Sequence, residues 1–274
     1  MSDANAEHQA PTGQPPITDP AYAARWPAVL WVVRHGESAG NVARAAAMAA
    51  RQTTIDIEGR DVEVPLSALG ERQAIALGHW FAAMPAHERP TVVLTSTYTR
   101  ARRTAELIRD AGGVQDESEG FVVDERLREK EFGILDRLTS LGIAEKYPEQ
   151  VEFRKLLGKF YHRPPGGESW CDVILRLRSA LDTISLHYRG ERVLIVCHQV
   201  IVLCFRYLIE CLGENELLAI DRQADVANCG VTTYEFDQAA GRHGKMMLRV
   251  FNFVAPLLAE GAPVTTAPDV PKGR

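Results

Sequence analysis

The fold is decided by the stretch Leu30-Trp31-Val32-Val33-Arg34-His35-Gly36-Glu37-Ser38-Ala39-Gly40-Asn41. Its apolar run, Leu30 to Val33, is rich in β-branched and aromatic residues and predicts a strand buried on both faces. The glycines permit a tight turn, and Ser38 or Asn41 can cap a helix that follows. A guanidinium and an imidazole therefore stand at the carboxyl end of a strand, next to a helix N-terminus. Open α/β sheets bind ligands at that end, and a helix N-terminus favours an anion.

Strand-like and helix-like segments alternate along the rest of the chain, which is typical of an α/β protein. We predict a three-layer α/β/α sandwich with a mostly parallel central sheet. Further strands are expected at 91–95, 121–123, 192–197, 230–236 and 246–253. Helices are expected at 42–51, 67–84, 99–111, 140–147, 149–161, from 169 onwards and at 200–212. Ser67 is a candidate N-cap, and Ser169 with Asp172 forms a candidate capping box.

The domain organisation follows from where the apolar periodicity starts and stops. Residues 1–27 are polar and contain proline, so we expect a disordered N-terminal tail. A single domain is expected over 28–254, with the segments 42–66 and 137–167 as excursions over the strand ends. Residues 255–274 carry four prolines and few apolar side chains, and are expected to form a flexible C-terminal tail.

The composition narrows the class of protein. The 274 residues are 46% hydrophobic and 24% charged, with a net charge of −5. That charge disfavours binding to nucleic acid or to an anionic membrane. Five cysteines without a Cys-x-x-Cys pair predict neither a disulfide framework nor a zinc site. With no signal peptide and no apolar stretch of membrane-spanning length, we expect a cytoplasmic protein. The sequence does not indicate an oligomer.

Polar residues at the predicted strand ends could meet at one edge of the sheet. They are His35, His198, Arg34, Arg100 and Glu129. A neutral imidazole can attack phosphorus and form a phosphohistidine, and arginine forks match phosphoryl oxygens in charge and shape. A carboxyl group can protonate the leaving alkoxide and later accept a proton from water. This set of side chains predicts phosphoryl transfer on a small phosphorylated substrate.

The chain resembles the histidine phosphatase superfamily, which contains the phosphoglycerate mutases. The resemblance rests on Arg34-His35-Gly36-Glu37, on Ser96-x-x-x-Arg100-Ala-x-x-Thr-Ala, on Glu129 before an aromatic and a glycine, and on His198, all in family order over 29–236. It implies a phosphoglycerate mutase-like fold and a phosphorylated His35. Arg34 and Arg100 would bind the phosphate, His198 would stabilise its charge, and Glu129 would be the acid, with Glu131 as the alternative.

A finer resemblance connects the chain with fructose-2,6-bisphosphatase domains. It rests on Pro165-Gly166-Gly167-Glu168-Ser169, on Val196-Cys197-His198-Gln199 and on the segment 227–232. It implies that Asn41 binds phosphate and that Arg163 and Gln199 contact substrate, with Ser38 as a further candidate. Gly166 and Leu203 stand where that branch has a lysine and an arginine, so the sequence does not predict a bisphosphate substrate.

We therefore predict a phosphomonoesterase that uses no metal or cofactor. A phosphoglycerate mutase is the alternative, and 2,3-bisphosphoglycerate would be its cofactor. A second alternative is a serine hydrolase, because Gly36-Glu37-Ser38-Ala39-Gly40 satisfies the Gly-x-Ser-x-Gly pattern with Ser38 as nucleophile. The arginines would serve no purpose in the hydrolysis of a neutral ester. A phosphate-binding module without turnover is a third alternative.

Overall fold

The computed structural model describes residues 25–115, 121–223 and 225–266. Within these ranges six strands form one sheet, and nine α-helices accompany it. The strands are β1 (Val29–Arg34), β2 (Val92–Thr95), β3 (Phe121–Val123), β4 (Arg192–Cys197), β5 (Val231–Asp237) and β6 (Lys245–Phe253). The helices are α1 (Ala39–Ala49), α2 (Ala68–Ala82), α3 (Thr99–Asp110), α4 (Ser140–Lys146), α5 (Pro148–Tyr161), α6 (Trp170–His187), α7 (Gln199–Ile209), α8 (Glu214–Gln223) and α9 (Ala255–Ala259).

The strand order is β3-β2-β4-β1-β5-β6. The pairs β2–β3, β2–β4 and β1–β4 are parallel, whereas β1–β5 and β5–β6 are antiparallel. The prediction of a mostly parallel sheet is therefore confirmed. In the β1–β4 pair, Arg34 lies opposite Cys197. The residues that follow, His35 and His198, consequently leave the sheet side by side.

Both faces of the sheet carry a hydrophobic core, which explains the uninterrupted apolar character of β1. Leu30 and Val32 belong to the core that includes residues of α6 and α7. Trp31 and Val33 point the other way, into the core that includes residues of α2 and α3. These four side chains are at most 5% exposed.

The helix starts follow the predicted capping residues. Ser67 caps α2, and Ser169 with Asp172 forms a capping box on α6. Ser38 and Asn41 form a capping box that starts α1 at Ala39, three residues before the predicted start at 42. The sequence did not predict α8, because the helix buries only Leu217 and Asp221 and so shows no clear apolar periodicity.

The two excursions contact each other. Segment 42–66 ends near the short 3₁₀ turn Asp61–Glu63, and segment 137–167 forms α4 and α5. Ile55 N donates to Arg137 O at 2.9 Å, and Thr139 Oγ1 donates to Gln52 O at 2.7 Å. The excursions therefore form one layer rather than two separate loops.

The expectation of a flexible tail over 255–274 was wrong for its first twelve residues. Ala255–Ala259 form α9, and Leu257 is fully buried in the core beside α2. Gln73 Nε2 also donates to Pro263 O at 2.8 Å. Residues 267–274 lie outside the described residues, as do 1–24 of the predicted N-terminal tail. Trp26, also assigned to that tail, packs against the core.

No helix in the described ranges is both long enough and apolar enough to cross a bilayer.

Candidate active site

His35 follows β1 and is fully buried. Its Nδ1 lies 2.6 Å from Gly36 O, and its Nε2 lies 3.2 Å from Arg100 Nε. Because a carbonyl oxygen only accepts hydrogen bonds, Nδ1 carries the proton in this contact. Arg100 only donates, so Nε2 presents its lone pair. These contacts hold His35 as the neutral tautomer with its proton on Nδ1 and the lone pair of Nε2 directed at Arg100.

His198 follows β4 and is also fully buried. Its ring lies edge-on to that of His35, with the centroids 5.1 Å apart. On another side it contacts Tyr98, at 4.9 Å between centroids, and its Nε2 lies 2.8 Å from Ser96 Oγ. The strand register thus brings together the two histidines that the sequence predicts.

Arg100 lies in the first turn of α3 and contacts more than His35. Its guanidinium stacks on Tyr98, 4.7 Å from the ring centroid. Its Nη1 and Nη2 donate to Asp61 Oδ1 and Oδ2 at 3.1 and 3.3 Å. Arg100 therefore connects His35 to Asp61 in segment 42–66.

Tyr98 joins several of these groups. Burial, and after it the negative charges of Glu131 and Asp61, raises the pKa of Tyr98, so the phenol remains protonated. Its hydroxyl donates to Glu131 Oε1 at 3.3 Å. Neither Tyr98 nor Ser96 was a predicted site residue. Ser96 stands at a strand end, which is the signal that could have found it.

Arg34 is fully buried at the end of β1. Its Nη1 donates to Val226 O at 2.6 Å, and its carbonyl oxygen accepts from Cys229 N at 3.0 Å. The segment after α8 therefore binds both the main chain and the side chain of Arg34, the predicted phosphate-binding residue.

Ser38 and Asn41 are joined by hydrogen bonds. Ser38 Oγ donates to Asn41 Oδ1 at 3.0 Å and accepts from Asn41 N at 3.1 Å. These bonds make Ser38 a helix cap, and its hydroxyl is directed to Asn41 rather than to an imidazole. The geometry does not fit a serine nucleophile, which requires a hydrogen bond to a base.

Glu129 and Glu131 have different surroundings. Glu129 is 2% exposed, and its Oε1 accepts from Lys130 N at 2.7 Å. The Glu131 side chain is 48% exposed and lies near Arg128 and Tyr98. Arg176 holds this loop against α6, donating to Arg126 O at 2.5 Å and to Glu129 O at 3.3 Å.

Gln199 and Arg163, the two remaining residues predicted to contact substrate, differ in burial. Gln199 is buried at the start of α7, and its Nε2 donates to Asp225 Oδ1 at 2.8 Å. The Arg163 side chain is 63% exposed and forms an ion pair with Asp172 at 3.0 Å. The structure therefore places Arg163 on the surface, beside the N-terminus of α6.

Residues 35–38, between β1 and α1, form a loop that we call the nucleophile loop after the predicted role of His35. A hydrogen-bond network that the sequence did not predict supports this loop. Asn228 Nδ2 donates to His35 O at 3.1 Å, and Thr265 Oγ1 donates to Asn228 Oδ1 at 3.0 Å. Gln73 Nε2 donates to Thr265 Oγ1 at 3.0 Å, while Gln73 Oε1 accepts from Glu37 N at 2.9 Å. Thr265 is thus connected, through Asn228 and Gln73, to the main chain at His35 and at Glu37.

Glycine is required where the nucleophile loop meets α2. A Cβ on Gly36 would lie 2.4 Å from Gly70 O, and a Cβ on Gly70 would lie 1.9 Å from Glu37 O. Gly36 N also donates to Thr104 Oγ1 at 3.0 Å, and this hydroxyl donates to Arg100 O at 2.8 Å. The spacing of Arg100 and Thr104 therefore fixes α3 against the loop.

Comparisons with known proteins cover most of the chain. The family profile of the histidine phosphatase superfamily (branch 1) matches residues 30–246. The chain is 31% identical over 245 residues to the "Probable phosphoglycerate mutase GpmB" of Erwinia tasmaniensis, spanning 88% of this chain and 93% of that protein.

Two solved structures are similar over a comparable length. Bacillus stearothermophilus YhfR superposes with a TM-score of 0.63 at 27% identity, covering 84% of this chain and 98% of that one. A mycobacterial glucosyl-3-phosphoglycerate phosphatase in complex with VO3 superposes with a TM-score of 0.61 at 22% identity, covering 82% and 98%. The second similarity shows a shared fold. The two superpositions show the same α/β architecture over more than four fifths of the chain.

Proposed function

The chain belongs to branch 1 of the histidine phosphatase superfamily, and we propose that it hydrolyses phosphomonoesters of small metabolites through a phosphohistidine at His35. Phosphatases among its structural neighbours support the choice of hydrolysis, the mycobacterial glucosyl-3-phosphoglycerate phosphatase being one.

One observation carries the proposal: the way in which both ring nitrogens of His35 are held. Gly36 O, 2.6 Å from Nδ1, fixes the proton there, and Arg100 Nε stands 3.2 Å from Nε2. A cation beside the lone pair places an anion-binding group where an incoming phosphoryl group would arrive. This arrangement places the attacking nitrogen beside a guanidinium that would bind the phosphoryl group.

In the first step, His35 Nε2 attacks phosphorus and the bond from phosphorus to the ester oxygen breaks. Protonated Glu129 gives its proton to the leaving alkoxide, which departs as an alcohol. The guanidinium groups of Arg34 and Arg100 bind the phosphoryl oxygens, with His198 adding a further contact. Because these interactions strengthen as charge develops, they stabilise the transition state. We propose that they supply the positive charge without a metal ion.

In the second step, water attacks the phosphorus of phospho-His35, and the Glu129 carboxylate takes the proton of that water. The bond between phosphorus and Nε2 breaks, inorganic phosphate leaves, and both side chains return to their initial states. Two displacements of moderate difficulty replace one direct hydrolysis.

The test is to trap the intermediate. Brief incubation with a radiolabelled phosphomonoester and rapid denaturation should yield a phosphoenzyme that is stable in alkali and labile in acid. His35→Ala should abolish labelling and turnover. His79→Ala is the matched control, since His79 is an exposed surface residue paired with Glu260. Substantial turnover by His35→Ala would refute the nucleophile.

A phosphoglycerate mutase is the second candidate, favoured by the name of the relative that is 31% identical to the chain. The two reactions use the same residues and differ in whether water or a second hydroxyl takes the phosphoryl group. A panel of phosphorylated metabolites, assayed with and without 2,3-bisphosphoglycerate, separates them. Stimulated isomerisation of phosphoglycerate would identify a mutase, and release of phosphate a phosphatase.

We also propose that the protein acts in the cytoplasm on a small substrate, and not on nucleic acid or a membrane surface. The five free thiols and the net charge of −5 support this proposal. Fractionation of cells that produce the protein would test the location.

A further inference from the structure

The carboxylate of Asp61 occupies the fork of the Arg100 guanidinium. Nη1 donates to Oδ1 at 3.1 Å and Nη2 to Oδ2 at 3.3 Å, while Nη1 also donates to Asp61 O at 2.8 Å. Two parallel contacts of this kind are the geometry in which arginine binds carboxylate or phosphate. The clamp that we assign to the substrate phosphate therefore already holds an anion that belongs to the chain.

A phosphoryl group next to His35 would compete with this carboxylate. Arginine binds a tetrahedral anion bidentately either side-on, through Nε and Nη2, or end-on, through Nη1 and Nη2. The end-on mode uses the two N–H groups that now donate to Asp61 Oδ1 and Oδ2. The side-on mode uses Nε and the second N–H of Nη2. The Nε atom, on the same side-on edge, faces His35 Nε2. End-on binding of the phosphate consequently requires Asp61 to withdraw, whereas side-on binding requires Nε to leave His35 Nε2.

Burial of the nucleophile supports the same conclusion. His35 and His198 are 0% exposed, so the nucleophilic nitrogen has no contact with solvent in this conformation. The Arg100 side chain is 4% exposed, whereas that of Asp61 is 44% exposed. In this pair the carboxylate is the partner on the solvent side. Asp61 therefore lies on the solvent side of Arg100, where its movement would expose the guanidinium.

The surroundings of Asp61 offer room for that movement. Asp61 lines a small pocket beside Ser38, Asn41 and Arg100, and it also lines an open cavity of about 410 Å³. The charged residues that line that cavity with Asp61 are three arginines and two acids: Arg60, Arg128, Arg137, Glu131 and Asp136. Asp61 stands between the two spaces on a three-residue 3₁₀ turn, a short element with little of its own structure to lose. Its carboxylate can leave Arg100 toward other cations.

We propose that Asp61 is an internal competitor of the substrate, an autoinhibitory carboxylate that the phosphate displaces from Arg100. The proposal rests on the proposed function for the position of the phosphate. The free energy needed to displace Asp61 lowers the affinity of Arg100 for every anion that binds its Nη1 and Nη2 atoms. Once Asp61 has moved, the way from the cavity to His35 is open. Asp61 then acts on binding and access, and the chemical step proceeds without it.

The central test compares Asp61→Asn with the wild type. The substitution removes the charge and keeps the size and the backbone carbonyl contact. Glu63→Gln is the matched control, because Glu63 is an acid in the same turn whose side chain accepts from Arg60 N at the surface. Calorimetry with inorganic phosphate gives the Kd, and steady-state kinetics gives kcat and KM separately.

Asp61→Asn should lower the Kd for phosphate and the KM for substrate about five- to tenfold, as expected for loss of a partly exposed but bidentate ion pair. The kcat should change by less than about twofold, and Glu63→Gln should match the wild type. Unchanged or weaker phosphate binding by Asp61→Asn would overturn the proposal, and weaker binding would instead make Asp61 a residue that positions Arg100.

A second measurement reports on access independently of phosphate. Diethyl pyrocarbonate modifies imidazole nitrogens, and peptide mass spectrometry identifies the modified histidine. His35 should react several-fold faster in Asp61→Asn than in the wild type or Glu63→Gln, and an equal rate counts against the proposal. Labelling of His35 by substrate tests the proposed function separately, so a protein that forms phospho-His35 but shows no effect of Asp61→Asn refutes this inference alone.

Discussion

Glu129 and Glu131 lie two residues apart in one loop, yet the structure places them in different environments. Glu129 is buried and close enough to Tyr98 and Lys130 to perturb both electrostatically. Glu131 faces solvent and accepts a hydrogen bond from Tyr98. A general acid must retain its proton until the alkoxide departs, and a site closed to water favours that. We therefore propose that Glu129 transfers the proton.

The assignment predicts how substitution depends on the leaving group. Glu129→Gln should lower kcat for alkyl phosphates by about 10²-fold or more, which is the usual contribution of general acid catalysis. Hydrolysis of p-nitrophenyl phosphate should suffer less, because p-nitrophenolate leaves without protonation. Steady-state assays with both substrates measure the difference.

Glu131→Gln is the control for this prediction and should leave the ratio between the two substrates near that of the wild type. Equal losses on both substrates in Glu129→Gln, together with a selective loss in Glu131→Gln, would transfer the role to Glu131.

At the scale of elements, the nucleophile loop depends on a segment more than 200 residues away along the chain. Thr265, beyond α9, bonds Asn228 and Gln73, and these two side chains bond the main chain at His35 and Glu37. The loop needs these partners because its turn leaves main-chain groups outside the sheet ladder, and buried polar groups must be paired. The C-terminal segment is thus part of the framework of the site.

Thr265→Val should therefore destabilise the protein, although valine has the same shape. Loss of the hydroxyl removes one donor and one acceptor from a partly buried network, which costs about 1–2 kcal/mol of unfolding free energy. Urea unfolding followed by circular dichroism measures the change. Thr266→Val, at an exposed neighbouring position, should stay within about 0.5 kcal/mol of the wild type. Identical curves for the two variants would show that the network contributes nothing to stability.

At the scale of the whole molecule, a buried cation makes stability depend on pH. The Lys130 side chain is 7% exposed. Burial, followed by repulsion from Arg154, lowers the pKa of Lys130 from 10.5 to about 8. The folded state therefore binds this proton more weakly than the unfolded chain does. The charged lysine costs stability below pH 8, and the cost disappears as the pH rises toward 10.5, where the unfolded lysine also loses its proton.

Replacing the lysine with methionine tests this linkage. Lys130→Met should raise the unfolding free energy by up to about 3 kcal/mol at pH 7, and the gain should shrink steadily between pH 8 and pH 10. Comparing variant and wild type at each pH cancels the titration of the other groups. Lys155→Met, at an exposed position, should show no such trend. A gain that does not vary with pH would indicate a packing effect.

The sequence alone determined the parts of this protein that depend on local chemistry. A doubly buried strand requires an uninterrupted apolar run, and the β1 stretch Leu30 to Val33 predicted it. Helix caps need short polar side chains, so Ser67 and Ser169 marked helix starts correctly. The strand ends also indicated His35 and His198, because parallel strands leave their carboxyl ends at one edge of a sheet. The roles of these residues remain predictions that rest on the family resemblance and on the experiments above.

The tertiary structure alone decided which distant groups meet. Asp61 carries no local signal, since an aspartate in an irregular segment reads as a surface residue, and only the fold places it on Arg100. The prolines of 255–274 suggested a tail because they too give no local sign of a packing partner. The described part, 255–266, is ordered by contacts with α2 and with the segment after α8. Arg163, for which the resemblance implied a contact with substrate, lies at the surface and forms an ion pair with Asp172. Local sequence fixes hydrogen-bonding capacity and periodicity, whereas the partner of a polar group depends on chain segments that only folding brings close.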